Sequence, residues 1–182
     1  TDVPPYEPTY GDRYLFGELE RKDLSMVGRV NFTFSPRLSL EVFAQPLVSS
    51  VDYRNYKQLA GPESFDFDVF TEGSAVPAGE DVRCVGGRTC EDADHRRYLD
   101  FDGDGTSDYS FKDRDFNYRS FRATAVLRWE YRPGSTFFLV WQRRQAGTAQ
   151  TGDFDLGRDV EALFGAPAED VLILKANLWL AW

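Results

Sequence analysis

The sequence holds one methionine, one histidine and two cysteines, and no apolar run approaches the ~18 residues of a membrane-crossing helix. Each scarcity removes a class of protein. His95 stands alone, with no nucleophile near it in sequence, so a Ser-His-Asp triad has no support. The same lone histidine leaves a zinc site at the cysteines without ligands. Cationic side chains are also short, 21 Lys and Arg against 30 Asp and Glu, a net charge of −9. A nucleic-acid partner would require the opposite balance. The mean hydropathy of −0.47 is low. It does not exclude a membrane, because transmembrane barrels alternate apolar and polar residues and average out hydrophilic.

What is abundant is aromatic. Fifteen Phe, nine Tyr and four Trp, with fifteen Gly and nine Pro, lean toward an all-β chain. A length of 182 residues amounts to one domain or part of one. No signal peptide is legible, and "TDVPPYEP" reads as an extended lead-in. The expectation is that a signal has been removed or that these residues belong to a longer chain. Cys84 and Cys90 bracket "CVGGRTC", whose Gly-Gly allows a small disulfide loop suited to an oxidising compartment.

"SFRATAVLRWEYR" carries the clearest pattern. Phe121, Ala123, Ala125, Leu127, Trp129 and Tyr131 alternate with Arg122, Thr124, Arg128, Glu130 and Arg132, a period of two. "RPGS" then turns the chain and "TFFLVWQRR" returns. "VLILKANLWLAW", "LSMVGRVNFTF" and "LSLEVFAQPLV" repeat the alternation, and "RYLFGELER" is joined to its neighbour through the polar "RKD". The expected fold is an antiparallel meander of about six strands, near 13–21, 24–34, 38–48, 117–132, 136–145 and 171–182.

The connections are unequal. "SPR" and "RPGS" are tight, whereas 51–115 is far longer than an ordinary loop and shows little strand periodicity. From Asp52 to Asp115 there are 16 acidic and 8 basic residues, so this stretch carries net −8. A second loop, 146–170, contains a candidate helix at "GRDVEALFG". Followed up and down, both long loops fall at one end of the strands and both tight turns at the other. Unequal rims with alternating strands are the layout of an outer-membrane β-barrel, apolar side chains toward lipid and polar ones toward the lumen. The terminal Trp182 looks like the end of a barrel's last strand, and Tyr131, Phe137 and Trp182 would form an aromatic girdle. Six strands do not close such a wall, and open edges are untenable in lipid. The remaining strands must come from the rest of a larger barrel or from other chains.

"RYLFGELERKDLSMVGRVNFTFSPRLSLEVFAQPLVSS", "DFNYRSFRATAVLRWEYRPGSTFFLVW" and "DFDLGRDVEALFGAPAEDVLILKANLWLAW" resemble the C-terminal end of the bacterial proteins grouped as domain of unknown function 5916. "RWEYRPGSTFFLVW" is the most specific segment, and the family's "DGDG" matches Asp102 to Gly105. The resemblance implies a large outer-membrane barrel. The family's N-terminal module, similar to carbohydrate-binding domains, has no counterpart in these residues, and the family brings no established reaction.

"DFDGDGTSD" sets carboxylates at alternate positions: Asp100, Asp102 and Asp104 at 1, 3 and 5, Thr106 at 7, Asp108 at 9. Calcium takes six to eight oxygens, and this spacing folds the four carboxylates and the Thr106 carbonyl around one centre. An EF-hand would need Glu at position 12, where Phe111 stands. The competing reading is an Asx-rich turn without metal. A calcium ion here would order a loop that otherwise repels itself, as a clip rather than a catalytic centre.

Arg29, Glu41, Arg122, Arg128, Glu130, Arg132 and Lys175 are the lumen-facing candidates, lining a solute path or forming cross-strand ion pairs. "ESFDFDVF" and "DRDFNY" hold carboxylates of the kind glycosidases use, but acidic loops are commonly just solvated, so no catalytic residue is assigned. The expectation is a non-enzymatic component of the bacterial outer membrane in contact with lipid. Its extracellular loops would form a calcium- and disulfide-stabilised cap serving transport, surface binding or assembly. The rival is a soluble, secreted calcium-binding β domain with a lectin-like role.

Overall fold

A computed structural model describes residues 11–61, 63–79 and 81–180. The described residues are all-β, with antiparallel sheets and one helix. Its strands are β1 (Leu15–Ser25), β2 (Gly28–Ser35), β3 (Leu38–Leu59), β4 (Phe67–Val69), β5 (Ser74–Ala78), β6 (Asp81–Val85), β7 (Thr89–Glu91), β8 (Arg96–Leu99), β9 (Tyr109–Lys112), β10 (Phe116–Arg132), β11 (Ser135–Ala149) and β12 (Ala168–Asn177). Helix α1 (Leu156–Gly165) precedes β12. The main sheet runs β1-β3-β10-β11-β12, with β2 and β4 also paired to β3. The residues divide into two compact units rather than a single one: Thr1–Arg21 with Val51–Asp115, and Lys22–Ser50 with Phe116–Trp182.

The second unit contains the long strands. β10 and β11 pair from Asn117↔Ala149 to Arg132↔Ser135, and β11 and β12 from Thr136↔Asn177 to Gln145↔Ala168. Pro133 and Gly134 make the turn, with Gly134 at φ +78°, a conformation that glycine adopts without a Cβ clash. The Glu130 N–H donates to the Arg37 carbonyl at 2.7 Å, so the turn at Pro36–Arg37 lies beside the end of β10. Both tight turns therefore share one end of this unit.

The expected "RKD" turn does not exist. Arg21, Lys22 and Asp23 lie inside β1, and Asp23 accepts a hydrogen bond from Ser49 Oγ on β3. β2 pairs with β3 from Gly28↔Ala44 to Ser35↔Leu38, and the Met26 N–H donates to the Pro46 carbonyl. β1 and β2 thus lie along the same partner as one strand interrupted at Met26–Val27, not as a hairpin. The break falls opposite Pro46, which has no N–H to offer the ladder. Five long ribbons replace the expected six, and β3 extends to Leu59 instead of ending near 48. The second loop is also shorter than 146–170, because β11 runs to Ala149 and β12 begins at Ala168. Trp182, and with it the end of the expected strand, lies outside the described residues, as does the lead-in 1–10.

α1 is fastened to β10 and β11 by buried polar groups. Asp155 caps it, accepting from the Arg158 N–H at 2.8 Å. Asp159, fully buried, accepts from Asn117 Nδ2 at 2.9 Å and from Arg158 at 3.0 Å, while Gln145 donates to the Phe164 and Ala166 carbonyls. Leu163 is the buried apolar residue of the helix.

The first unit corrects the expectation of an aperiodic loop. It holds a β5–β6 hairpin, a β7-β8-β9 sheet and a core of Tyr56, Phe70 and Leu99, flanked by Leu15, Tyr53, Phe101 and Phe111. Its strands are three to five residues long, apart from the ends of β1 and β3. That is too short for an alternating pattern to stand out from chance. Gly73 and Gly87 bring two segments into close contact. A Cβ on Gly87 would lie 2.4 Å from the Glu72 carbonyl carbon and 2.5 Å from the Gly73 nitrogen.

Candidate metal centre and charged sheet face

The loop between β8 and β9 is organised by Asp100. Its carboxylate is buried, accepting from the Gly103 N–H at 2.6 Å and the Gly105 N–H at 2.8 Å. Gly103 and Gly105 have φ of +81° and +86°, so the turn that aims both N–H groups inward depends on glycine. Asp108 accepts from the Phe101 N–H at 2.7 Å and closes the loop. Carboxylate oxygens of Asp100, Asp102 and Asp108 all lie within 4.8 Å of one another. One of the predicted carboxylates is placed differently: Asp104 is outside this group, its Oδ1 accepting from the Thr106 N–H at 2.6 Å. Alternate spacing aims side chains to one side only on a regular strand, and here the two glycines break that regularity.

No Lys or Arg side chain among the described residues forms an ion pair with these three carboxylates. Each oxygen that accepts one N–H keeps a further lone pair, so the donor set fits a hard cation by its chemistry. Asp100, Asp102 and Asp108 are the groups that could hold it.

Cys84 and Cys90 form the expected disulfide, with Cα atoms 5.3 Å apart, and it joins β6 to β7. Both cysteines are buried. The strongest electrostatic feature of the unit went unseen in the sequence. Arg97, buried, donates to Asp113 at 2.7 Å, to Glu72 at 2.7 Å and to Glu91 at 3.1 Å, and its guanidinium lies 5.0 Å from the centre of the Tyr56 ring. Burial alone would ease its proton off, but the Asp113 and Glu72 carboxylates hold it above the ordinary arginine value. Burial and the Asp113 carboxylate together raise the Tyr56 phenol. Asp115, half-buried near Asp113 and Asp52, is pushed up to about 6, chiefly by burial and against the Tyr53 N–H that it accepts. Only tertiary folding unites these groups, and no spacing signals them. His95 bonds to Glu91 through Nδ1 at 2.8 Å, and the "ESFDFDVF" carboxylate Asp68 is held by Arg88.

In the second unit, register assigns the sheet faces. Leu127, Leu139 and Leu174 form a row across β10, β11 and β12, followed by Ala125, Trp141 and Leu172 on one side and Trp129, Phe137 and Ala176 on the other. This face ends at Arg143 and Asp170, which pair at 3.8 Å. Arg122, Arg128, Glu130 and Lys175 occupy the opposite face, with Arg128 and Glu130 3.8 Å apart. Arg29 and Glu41 line one shallow cavity with Thr124 and Val126, which places them on the same face. Arg132 lies beyond a register shift between Glu130 and Arg132. The charged face is not wholly polar, since Val126, Val140 and Ile173 form an apolar row across it.

Fold and site together define an all-β chain with a disulfide-closed, acidic, core-bearing unit and a second unit of long, amphipathic antiparallel strands. Comparison with protein-family models, with curated proteins and with solved structures finds no match for it.

Proposed function

We propose that the second unit is a piece of an outer-membrane β-barrel wall and that the first is its extracellular cap, clipped by calcium and the Cys84–Cys90 disulfide. The observation that carries this reading is the uncovered apolar face. Leu172 and Leu174 are 64% and 63% exposed, Val30 is 60% and Phe32 53%, although their strands are fully paired along at least one edge. A soluble sheet of this length buries such a face against a second layer. The first unit, for comparison, has a core of its own in Tyr56, Phe70 and Leu99. Dimensions support the reading too. From Gly134 to Arg143 the apolar face of β11 runs ~30 Å at ~3.3 Å per residue, and a strand tilt of ~40° reduces that to ~23 Å, close to the ~25 Å apolar band of such barrels.

The partners are outer-membrane lipid and the strands, from the same protein or others, that complete the wall beyond the edge of β12. The resemblance of the sequence to a predicted barrel family points the same way. The role is transport, surface binding or assembly, without catalysis. Calcium would be held by Asp100, Asp102 and Asp108. Limited proteolysis tests it. Chelator, or Asp102→Ala without chelator, should expose cleavage sites within 100–108 while the disulfide-bonded remainder of the unit stays intact, because the opening is local. Identical cleavage with calcium, with chelator and in the variant means a metal-free turn.

A second reading rests on the first unit, whose own core and disulfide suit a soluble, secreted calcium-binding β domain. A chain monodisperse without detergent would favour it, and extraction by detergent alone would favour the barrel.

A further inference from the structure

The charged face of the second unit sets two arginines directly against each other. Arg122 on β10 and Arg144 on β11 are register partners, and Glu169 on β12 is the partner of Arg144, so the three form a row across the sheet. Along these two ladders no other pair places cation opposite cation. Residues facing each other in an antiparallel ladder have Cβ atoms ~5 Å apart, and equal charges there repel. Elsewhere in this unit Arg119 is paired with Asp159, Arg128 with Glu130, Arg143 with Asp170 and Arg158 with Asp153. Arg122 and Arg144 differ. Among the described residues neither forms an ion pair, although Glu169 stands opposite Arg144.

The two guanidiniums also share a cavity. Arg122, Arg144 and Glu169 line a hollow of about 290 Å³ together with Tyr118 and Ser120. The β10–β11 register runs without a shift from Asn117 to Glu130, so alternation puts Tyr118 and Ser120 on the same face as Arg122. Two hydroxyls able to donate therefore stand beside two guanidiniums. One carboxylate against two fixed cations leaves these lining residues net positive, within a chain of net −9.

The chemistry selects the ligand class. A guanidinium presents its N–H groups as a rigid fork that matches the oxygens of a sulfate, phosphate or carboxylate. A doubly charged group is favoured over a carboxylate here, because it neutralises both forks and cancels their mutual repulsion. We propose that Arg122 and Arg144 form a binding site for a tetrahedral oxyanion of the sulfate or phosphate type, with Tyr118 and Ser120 as further donors. Glu169 repels the same ligand and weakens the site. The inference goes beyond the membrane reading and rests on β10, β11 and β12 alone, so it holds whether this face lines a lumen or meets open water.

The test is calorimetric titration of the full chain at low ionic strength, in detergent if it requires it. The probes are sodium sulfate, sodium acetate, sodium chloride and glycerol 3-phosphate. Sulfate should bind saturably and about tenfold or more tightly than acetate or chloride. Arg122→Gln and Arg144→Gln, both at exposed positions, should each weaken sulfate about tenfold or more, the loss of a charge-assisted hydrogen bond. Glu169→Gln should tighten it, and Arg128→Gln, on the same face but in another row, should leave it unchanged. Glycerol 3-phosphate separates the sources: binding tighter than sulfate assigns an esterified phosphate, and weaker binding assigns the free ion. No saturable sulfate binding, equal binding of chloride or acetate, indifference to Arg122→Gln and Arg144→Gln, weaker binding in Glu169→Gln, or an equal loss in Arg128→Gln would each overturn the proposal.

Discussion

Arginine at Leu127 is the sharpest probe of the wall. Leu127 shares its row with Leu139 and Leu174, and Leu139 stands about four residues from Arg143 and about five from Gly134, near the middle of the apolar band. A cation on a lipid-facing site at the midplane costs ~2–4 kcal/mol, against ~0–1 near the interfaces. Leu127→Arg should therefore lower the ratio of assembled to unassembled protein by roughly 30-fold to 1,000-fold. Arg128→Leu, one residue away on the charged face, loses at most the exposed contact to Glu130 and should remain within a few-fold of wild type. The assay is the urea-resistant membrane fraction of cells expressing the whole protein, with Phe137→Arg near the turn as an intermediate case. Equal tolerance at Leu127 and Arg128 would refute the assignment of lipid to that face.

Replacing Cys84 and Cys90 by Ser should cost the first unit about 2 kcal/mol in the chain-entropy account of so short a loop, read as a lower melting temperature, while the strand signal of the second unit is unchanged. Asp115 should make the first unit pH-sensitive. Its folded value of about 6 lies above the unfolded one, so its stabilising contribution is full below about 3.8 and is lost as pH rises through about 6. Asp115→Asn retains an acceptor for the Tyr53 N–H and should melt higher than wild type at pH 8 but equally at pH 4; a gap that does not change with pH contradicts burial as the cause. Gly87→Ala should destabilise the first unit by several kcal/mol in a thermal melt, because its methyl has only the Glu72–Gly73 backbone to displace. A near-neutral result would mean that the two segments separate easily.

Much of this protein is written locally. Alternation over 116–132 and 135–149 fixes strand, face and register once the Pro133–Gly134 turn is in place, since a slip of one residue would exchange every side chain between faces. The disulfide follows from two cysteines six apart around Gly-Gly, and three of the four loop carboxylates converge because their neighbours can turn. Other features were decided only by tertiary structure. "RKD" looks like a turn, yet it continues β1, because a long strand opposite offers it hydrogen bonds and only Pro46 interrupts the ladder. Within 60–112, strands of three to five residues carry no pattern of their own and exist because the disulfide, the Gly73–Gly87 approach and the Arg97 ion pairs hold them together. Arg97 meets Glu72 and Asp113 from 25 and 16 residues away, and Asn117 meets Asp159 across 42. Periodicity reports which way a side chain faces along its own strand, and contacts at such separations are settled by the closing of the chain, which local pattern does not encode.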